Sequence, residues 1–305
     1  MIALPTNSES TSVPQVIART NVGRLILSAV VLLAAVAVVV AILGNERFGW
    51  PVILDHLFAP TIIAGIGNTL LLTVVCMIIG TLLGGVFALM SLSPSPPLRW
   101  IASTFVWFFR GIPLLVLLLF FFNLSALFPE VVLGLPGADP FLTLNANQII
   151  SPFTAAVLAL SLHEAAYMSE IIRNGISSVD RGQREAAQAL GMKPSKVNQR
   201  IVIPQAMRII VPPTSNQVIS MLKTTSLVSV IALSDLLFSA QIIYSTNYQV
   251  IPLLAVATIW YLFMVSILTI LQKKIEKVLN RGYARRTKTQ TTKASSPIQQ
   301  EQSRA

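Results

Sequence analysis

Six stretches of this chain are apolar over a length that can cross a bilayer, and they constrain the fold more than any other feature. A crossing takes ~20 mostly apolar residues. Hydrocarbon offers no water to the backbone, so each segment must pair its own N–H and C=O groups, as a helix does. The first stretch runs from Leu25 to Leu43 (LILSAVVLLAAVAVVVAIL). It is too long for a signal-peptide core, and no small-residue cleavage site stands out after it. The others fall at about Thr61–Met90, within Leu98–Phe128, and at about Pro152–Ile172, Pro213–Leu233 and Val250–Leu271. The sequence therefore predicts an all-α, polytopic transmembrane helical bundle of about six spans. Its 11% charged residues, against ~25% in soluble domains, agree with that class. Residues 1–23, rich in Ser, Thr, Asn and Pro, read as a disordered cytoplasmic tail. Residues 24–60 read as an additional first transmembrane helix with its external loop, 61–280 as the main transmembrane domain, and 281–305 as a basic disordered cytoplasmic tail.

The net charge of +10 is placed in a way that sets orientation rather than nucleic-acid binding. The presumed external loops, 44–60, 129–151 and 234–249, contain Arg47 as their one Lys or Arg. Segment 173–208 holds Arg173, Arg181, Arg184, Lys193, Lys196, Arg200 and Arg208, and nine more follow from Lys273 onward. Both termini and the loop between spans four and five are thus expected in the cytoplasm. The single cysteine, Cys76, lies in an apolar run and reads as core packing. The third stretch exceeds one span and is interrupted by Gly111 and Pro113. Either it bends within the membrane, or residues 99–109 lie along the cytoplasmic interface, anchored by Trp100 and Trp107, and the span starts near Arg110.

The cytoplasmic loop reads DRGQREAAQALGMKPSKVNQRIVIPQAMRIIVPP from Asp180 to Pro213. Asp180 suits an N-cap with Gln183 as its capping-box partner. Ala186, Ala187 and Leu190 make a small apolar face, and Gly191 supplies a stop. Pro194 opens a second short helix, Val197 and Ile201 give it an apolar side, and Pro204 is expected to close it. Taken alone, such a helix pair could equally be a basic loop resting on anionic headgroups.

The spacing adds a resemblance. Glu185-Ala186-Ala187, Gly191 after three residues, then Ile201-Val202-Ile203-Pro204 after nine resembles the EAA motif of ATP-binding-cassette importer permeases, with Ile203 where that motif usually has leucine. Further stretches are similar to the polar amino-acid branch, the histidine, glutamate, glutamine, arginine and opine permeases. They are Gly67–Leu70, Phe109–Leu115, Ala166–Arg173, Gly175–Val179 and Leu222–Leu227, and the likeness covers about residues 61–280. It implies that 180–204 is a coupling loop inserted into an ATP-binding subunit dimer, with Glu185, Ala186, Ala187, Gly191, Ile201 and Pro204 as contact residues. It also implies an extracytoplasmic solute-binding protein and a second permease subunit, the same or a related chain. Many members have five spans, so the first span here is an addition. The family pattern often has an acidic residue where this chain has Thr224, which leaves Lys223 to find its counter-charge elsewhere.

Charged residues within spans are costly and point to function by default. At ~1.5 Å per residue, Glu164 and Lys223 both fall near the midplane of a ~30 Å core. They form either a structural pair locking two helices or, with Arg110, a polar patch on the substrate path. In the second reading Glu164 faces a substrate ammonium, and Lys223 or Arg110 faces its carboxylate. Arg110 could also snorkel to the cytoplasmic surface. His163 and His56 lack further ligands at helical spacing, so no metal site is expected. No phosphate-binding GxxxxGK[ST] loop and no catalytic constellation occur, so neither a cofactor nor an enzyme activity is expected in this chain. The rival class is an ion-driven secondary transporter, which would call for internal repeats that the sequence lacks; permeation of another small polar solute is the nearer alternative.

Overall fold

The computed structural model describes residues 22–133 and 142–280. It divides into two units, one ending at Phe48 and the other starting at Gly49. In the first, α1 (Val22–Leu43) is apolar on all sides beyond Arg24 save for Ser28, whose hydroxyl donates to Arg24 O at 2.8 Å, as suits a lipid-facing span. Both expected tails, 1–23 and 281–305, lie outside the described residues save for Val22 and Gly23.

The second unit opens with α2 (Trp50–His56), in a stretch the sequence assigns to an external loop. Its Ile53 is buried in one core cluster with Leu236, Leu253 and Val256. Gly49 sits left-handed at φ +61°, where a Cβ would meet Pro252 Cγ at 2.8 Å. After a turn at residues 57–59 comes the long, uninterrupted α3 (Pro60–Ser91). Next come α4 (Pro96–Gly111) and α5 (Leu114–Phe122), bent by 99° where Ile112 and Pro113 leave helical geometry. Of the two sequence readings, this bend favours the one in which the first half lies across the direction of the span.

A single turn, α6 (Leu124–Leu127), leads to strands β1 (Glu130–Leu133) and β2 (Leu142–Asn145). They pair antiparallel, with Glu130 opposite Asn145 and Leu133 opposite Leu142. The all-α class therefore holds with one small hairpin added in an inter-span loop. After α7 (Ala146–Ile149), α8 (Pro152–Ser177) begins at a full capping box between Ser151 and Thr154.

α3 and α8 pack backbone to backbone. A Cβ on Gly80 would lie 2.8 Å from Glu164 Cβ and Cγ, and one on Gly84 would lie 2.6 Å from Met168 Cβ. Gly80 and Gly84 are a GxxxG pair, the small-residue spacing that lets membrane helices approach closely. Leu72, Cys76, Leu118, Ala156 and Leu160 fill the core between α3, α5 and α8, and the buried Cys76 is a packing residue.

The loop helices are α9 (Arg181–Ala189) and α10 (Pro194–Val197). The expected stop at Pro204 does not occur. A π-helical turn at Asn198–Val202 carries α10 directly into α11 (Ile203–Thr224), with Pro204 in its first turn and Pro212 and Pro213 inside it. Proline needs no N–H partner in a first turn, and a π-turn reroutes the local hydrogen bonds, so the chain passes Pro204 without ending the helix. The helix that carries the fifth span thus starts earlier than Pro213.

Beyond Thr224 a 3₁₀ stretch, Thr225–Ile231, reaches Ala232 in the left-handed region (φ 56°). α12 (Leu236–Asn247) then occupies a segment expected as loop. It is capped by Asp235, whose Oδ1 accepts from Phe238 N at 2.8 Å. Tyr261 of α13 (Val250–Asn280) donates to Asp235 Oδ2 at 3.1 Å, and Leu236 N donates to Thr69 Oγ1 at 3.0 Å, tying α12 to α13 and α3. Among the described residues, 4 helices can each cross a membrane alone, and 6 spans result if each bent pair counts as one.

Candidate functional site: a polar cavity in the bundle and a helix pair at its end

α8 and α11 face each other across a cavity of about 150 Å³, closed on one side by Leu114 of α5. α8 contributes His163, Glu164 and Tyr167, whose offsets of three and four place them along one side of the helix. α11 contributes Gln217, Ser220 and Thr224, at i, i+3 and i+7, with Met221 among them. Glu164 is only 3% exposed. Its two carboxyl oxygens each accept from Gln217 Nε2 at 3.4 Å. His163 Nδ1 lies 3.1 Å from Phe109 O, so the cavity wall is fixed to the end of α4.

Of the three residues expected on the substrate path, the structure brings only Glu164 to the cavity. Lys223 is one residue from Thr224, about 100° around the helix, and its side chain is exposed. The expected Glu164–Lys223 pair is not formed: Glu164 bonds Gln217 instead. Arg110 stands behind the cavity, its guanidinium 5.0 Å over the Tyr167 ring and 4.0 Å from Glu170 Oε2. Among the described residues no cluster of three potential metal ligands exists. Sequence reasoning missed Gln217 and Tyr167 as partners, although Gln217, Ser220 and Thr224 at i, i+3 and i+7 form a legible polar stripe.

At the bundle's end, Asp180 caps α9 by accepting from Gly182 N at 2.7 Å. Gln183 is not its capping-box partner; its side-chain oxygen accepts from Gln205 Nε2 at 2.6 Å and so ties α9 to α11. α9 ends as the sequence predicts, with Gly191 left-handed at φ +80°. Gly191 N donates to Gln188 O at 2.9 Å and Met192 N to Ala187 O at 3.1 Å, the paired bonds of a Schellman stop. Ala187, Val197, Val202 and Ala206 form the buried seam between the helices. Ala186 faces outward beside Leu190, which is 84% exposed at the tip. Glu185 is outward too, bonded to Arg181 at 2.8 Å. A shallow concavity between the helices is lined by Ala186, Leu190, Arg200, Ile201 and Pro204. Glu185, Ala186, Ala187, Gly191, Ile201 and Pro204 thus belong to one structural object, in which Ala187 is seam rather than surface.

A bundle of membrane-spanning helices, holding a polar cavity and ending in a helix pair with an exposed apolar tip, has the parts of a membrane transport component. Residues 80–281 match the family described as "Binding-protein-dependent transport system inner membrane component", and the chain belongs to that family. It is a multi-pass inner-membrane protein. It is 41% identical to the arginine transport system permease protein ArgU of Corynebacterium glutamicum, over 86% of this chain and 82% of ArgU. It is 38% identical to the L-cystine transport system permease protein TcyB of Bacillus subtilis, over 75% of this chain and 90% of that one. A solved amino acid ABC transporter with histidines shares 36% identity at a TM-score of 0.63, covering 72% of this chain and 94% of its own. The MetNI methionine ABC transporter, at 18% identity and TM-score 0.57, shares the fold over 72% of this chain and 96% of its own.

Proposed function

We propose that this chain is the permease subunit of an ATP-binding-cassette importer that moves a polar amino acid across the inner membrane. An ATP-binding subunit dimer docks on residues 180–204 and supplies the energy, a second permease subunit completes the channel, and an extracytoplasmic solute-binding protein delivers the substrate. The observation that carries the reading is the concavity between the loop helices, where Leu190, 84% exposed at the tip, stands with Ala186, Ile201 and Pro204 as one apolar patch. An apolar patch rimmed by charge suits a groove on a partner protein. Glu185 and Arg200 rim this tip and Ala186 allows close backbone approach, which suits a coupling contact.

The amino-acid cargo is supported by the cavity beside α8 and by the names of the relatives, whose substrates include arginine and cystine. Glu164 brings two acceptor oxygens into an apolar bundle where its protein partner, Gln217, is neutral. A substrate ammonium or guanidinium is the complementary group. Ser220, Thr224 and Tyr167 provide hydroxyls for the remainder of a small polar ligand. Arg110, behind Tyr167, positions that ring and lies next in line for a carboxylate.

The test is uptake of labelled amino acids into proteoliposomes holding the chain with its ATPase and binding protein. ATP-dependent accumulation of a polar amino acid supports the reading. ATP-independent uptake driven by an ion gradient would overturn it in favour of a secondary transporter.

A further inference from the structure

A second cavity, about 490 Å³, opens where the end of α3, the length of α4 and the last turns of α8 meet. Three guanidinium groups, Arg99, Arg110 and Arg173, line it against one carboxyl group, Glu170. Glu170 is engaged by Arg173 (Nε to Oε1 3.1 Å, Nη2 to Oε2 2.9 Å) and approached by Arg110 at 4.0 Å. Arg99 is held by two neutral acceptors, Ser93 O at 3.1 Å and Pro94 O at 2.9 Å, so among the described residues its charge meets no acid. Ser169, 1% exposed, also lines the cavity, and its Oγ has no hydrogen-bond partner. The site therefore carries excess positive charge and a buried hydroxyl without a partner, which a buried polar group rarely lacks.

Its depth in the membrane follows from the bend. α5 leaves α4 at 99°, so with α5 crossing the bilayer α4 lies close to the membrane plane. Trp107 at the cavity's rim and Trp100, about two turns before it on α4, are both strongly exposed, as tryptophans are at headgroup level. The charge excess sits at the end of the bundle where basic residues concentrate. A basic pocket between helices at that level has the chemistry of an anionic-lipid site.

We infer that this cavity binds the phosphodiester of an anionic phospholipid headgroup, with Arg99 and Arg173 facing the phosphate and Ser169 donating to it. Both Arg99 bonds use Nη1, so its Nε–Nη2 edge is the fork that can take two phosphate oxygens, while Arg173, whose own fork holds Glu170, adds charge.

Native mass spectrometry of the full-length chain, taken from bilayers of phosphatidylcholine and phosphatidylglycerol, tests this. The wild-type chain is expected to retain phosphatidylglycerol through delipidation. The Arg99→Gln, Arg173→Gln double variant should lose it by about fivefold per guanidinium. Ser103→Glu, which puts a negative charge at the same cavity while leaving every arginine in place, should lose it as well. Lys273→Gln, Lys274→Gln, which removes two charges elsewhere, should retain it. Equal retention by wild type and both cavity variants overturns the site. An equal loss in the Lys273 and Lys274 variant also overturns it, because retention would then be general charge attraction. Displacement of the lipid by inorganic phosphate or glycerophosphoglycerol at matching concentration overturns the lipid assignment and leaves a soluble-anion site.

Discussion

Gly80 of α3 lies against Glu164 of α8 so closely that a single methyl group on the glycine would come within 2.8 Å of both Cβ and Cγ of the glutamate. The acidic group of the cavity is thus positioned by the absence of a side chain on the neighbouring helix. The same approach recurs one turn on at Gly84 and Met168. Packing and polar chemistry are joined at this one contact.

Gly80→Ala is therefore expected to destabilise the chain by about 1–3 kcal/mol, the usual cost of overpacking, and to reduce uptake. Gly85→Ala, whose added Cβ would meet only Ile172 Cδ1 at 4.0 Å, should be tolerated. Thermal denaturation of the detergent-solubilised protein measures the difference; equal melting of the two variants would refute the contact.

The polar partner of Glu164 is Gln217, and a charge-exchange experiment can expose this. Glu164→Lys combined with Lys223→Glu should not restore uptake, since Lys223 is exposed and outside the cavity. Glu164→Gln keeps the size of the side chain and should leave the fold intact while lowering transport of a cationic amino acid at least tenfold. Rescue by the double exchange would reinstate the ion pair.

At the coupling end, Leu190→Asp should abolish association with the ATP-binding subunit at little cost in stability, because the side chain is 84% exposed. Co-purification of the two subunits together with a melting curve reads both quantities. Persistence of the complex would move the docking surface away from the tip.

Gly191→Val should uncouple ATP hydrolysis from uptake, and Glu185→Arg should do the same, with the chain still inserted. No atom stands within 4 Å of a Cβ at Gly191, so the cost there is purely that of holding φ +80°, about 1–2 kcal/mol for an ordinary residue. Gly191→Asn, which tolerates that region better, should retain much of the coupling. The ratio of ATP hydrolysed to substrate taken up distinguishes the three variants.

Asp235→Ala removes the N-cap of α12 and the acceptor of Tyr261 at once. It should cost about 2–3 kcal/mol, a cap plus a buried hydrogen bond, read as a fall in melting temperature. Asp235→Asn keeps the capping oxygen and should recover most of it.

The amino-acid sequence by itself determined the membrane class, the six apolar segments and the stop at Gly191, because each follows from local composition or from the conformational demands of one residue. It also exposed the break at Pro113, since proline restricts the residue before it whatever the surroundings. Only the tertiary structure decided who pairs with whom. Gln217, and not Lys223, meets Glu164, because that choice depends on the rotation of α11 about its axis, and a shift of one residue turns a side chain by about 100°. Likewise Pro204 reads locally as the close of a helix and Pro213 as the start of a span, yet a π-turn and packing against α8 carry α11 through both. The loop helix is the same case in miniature. Its apolar residues were legible, but that Ala187 turns into the seam and Leu190 out to the surface was fixed by the helix it leans on.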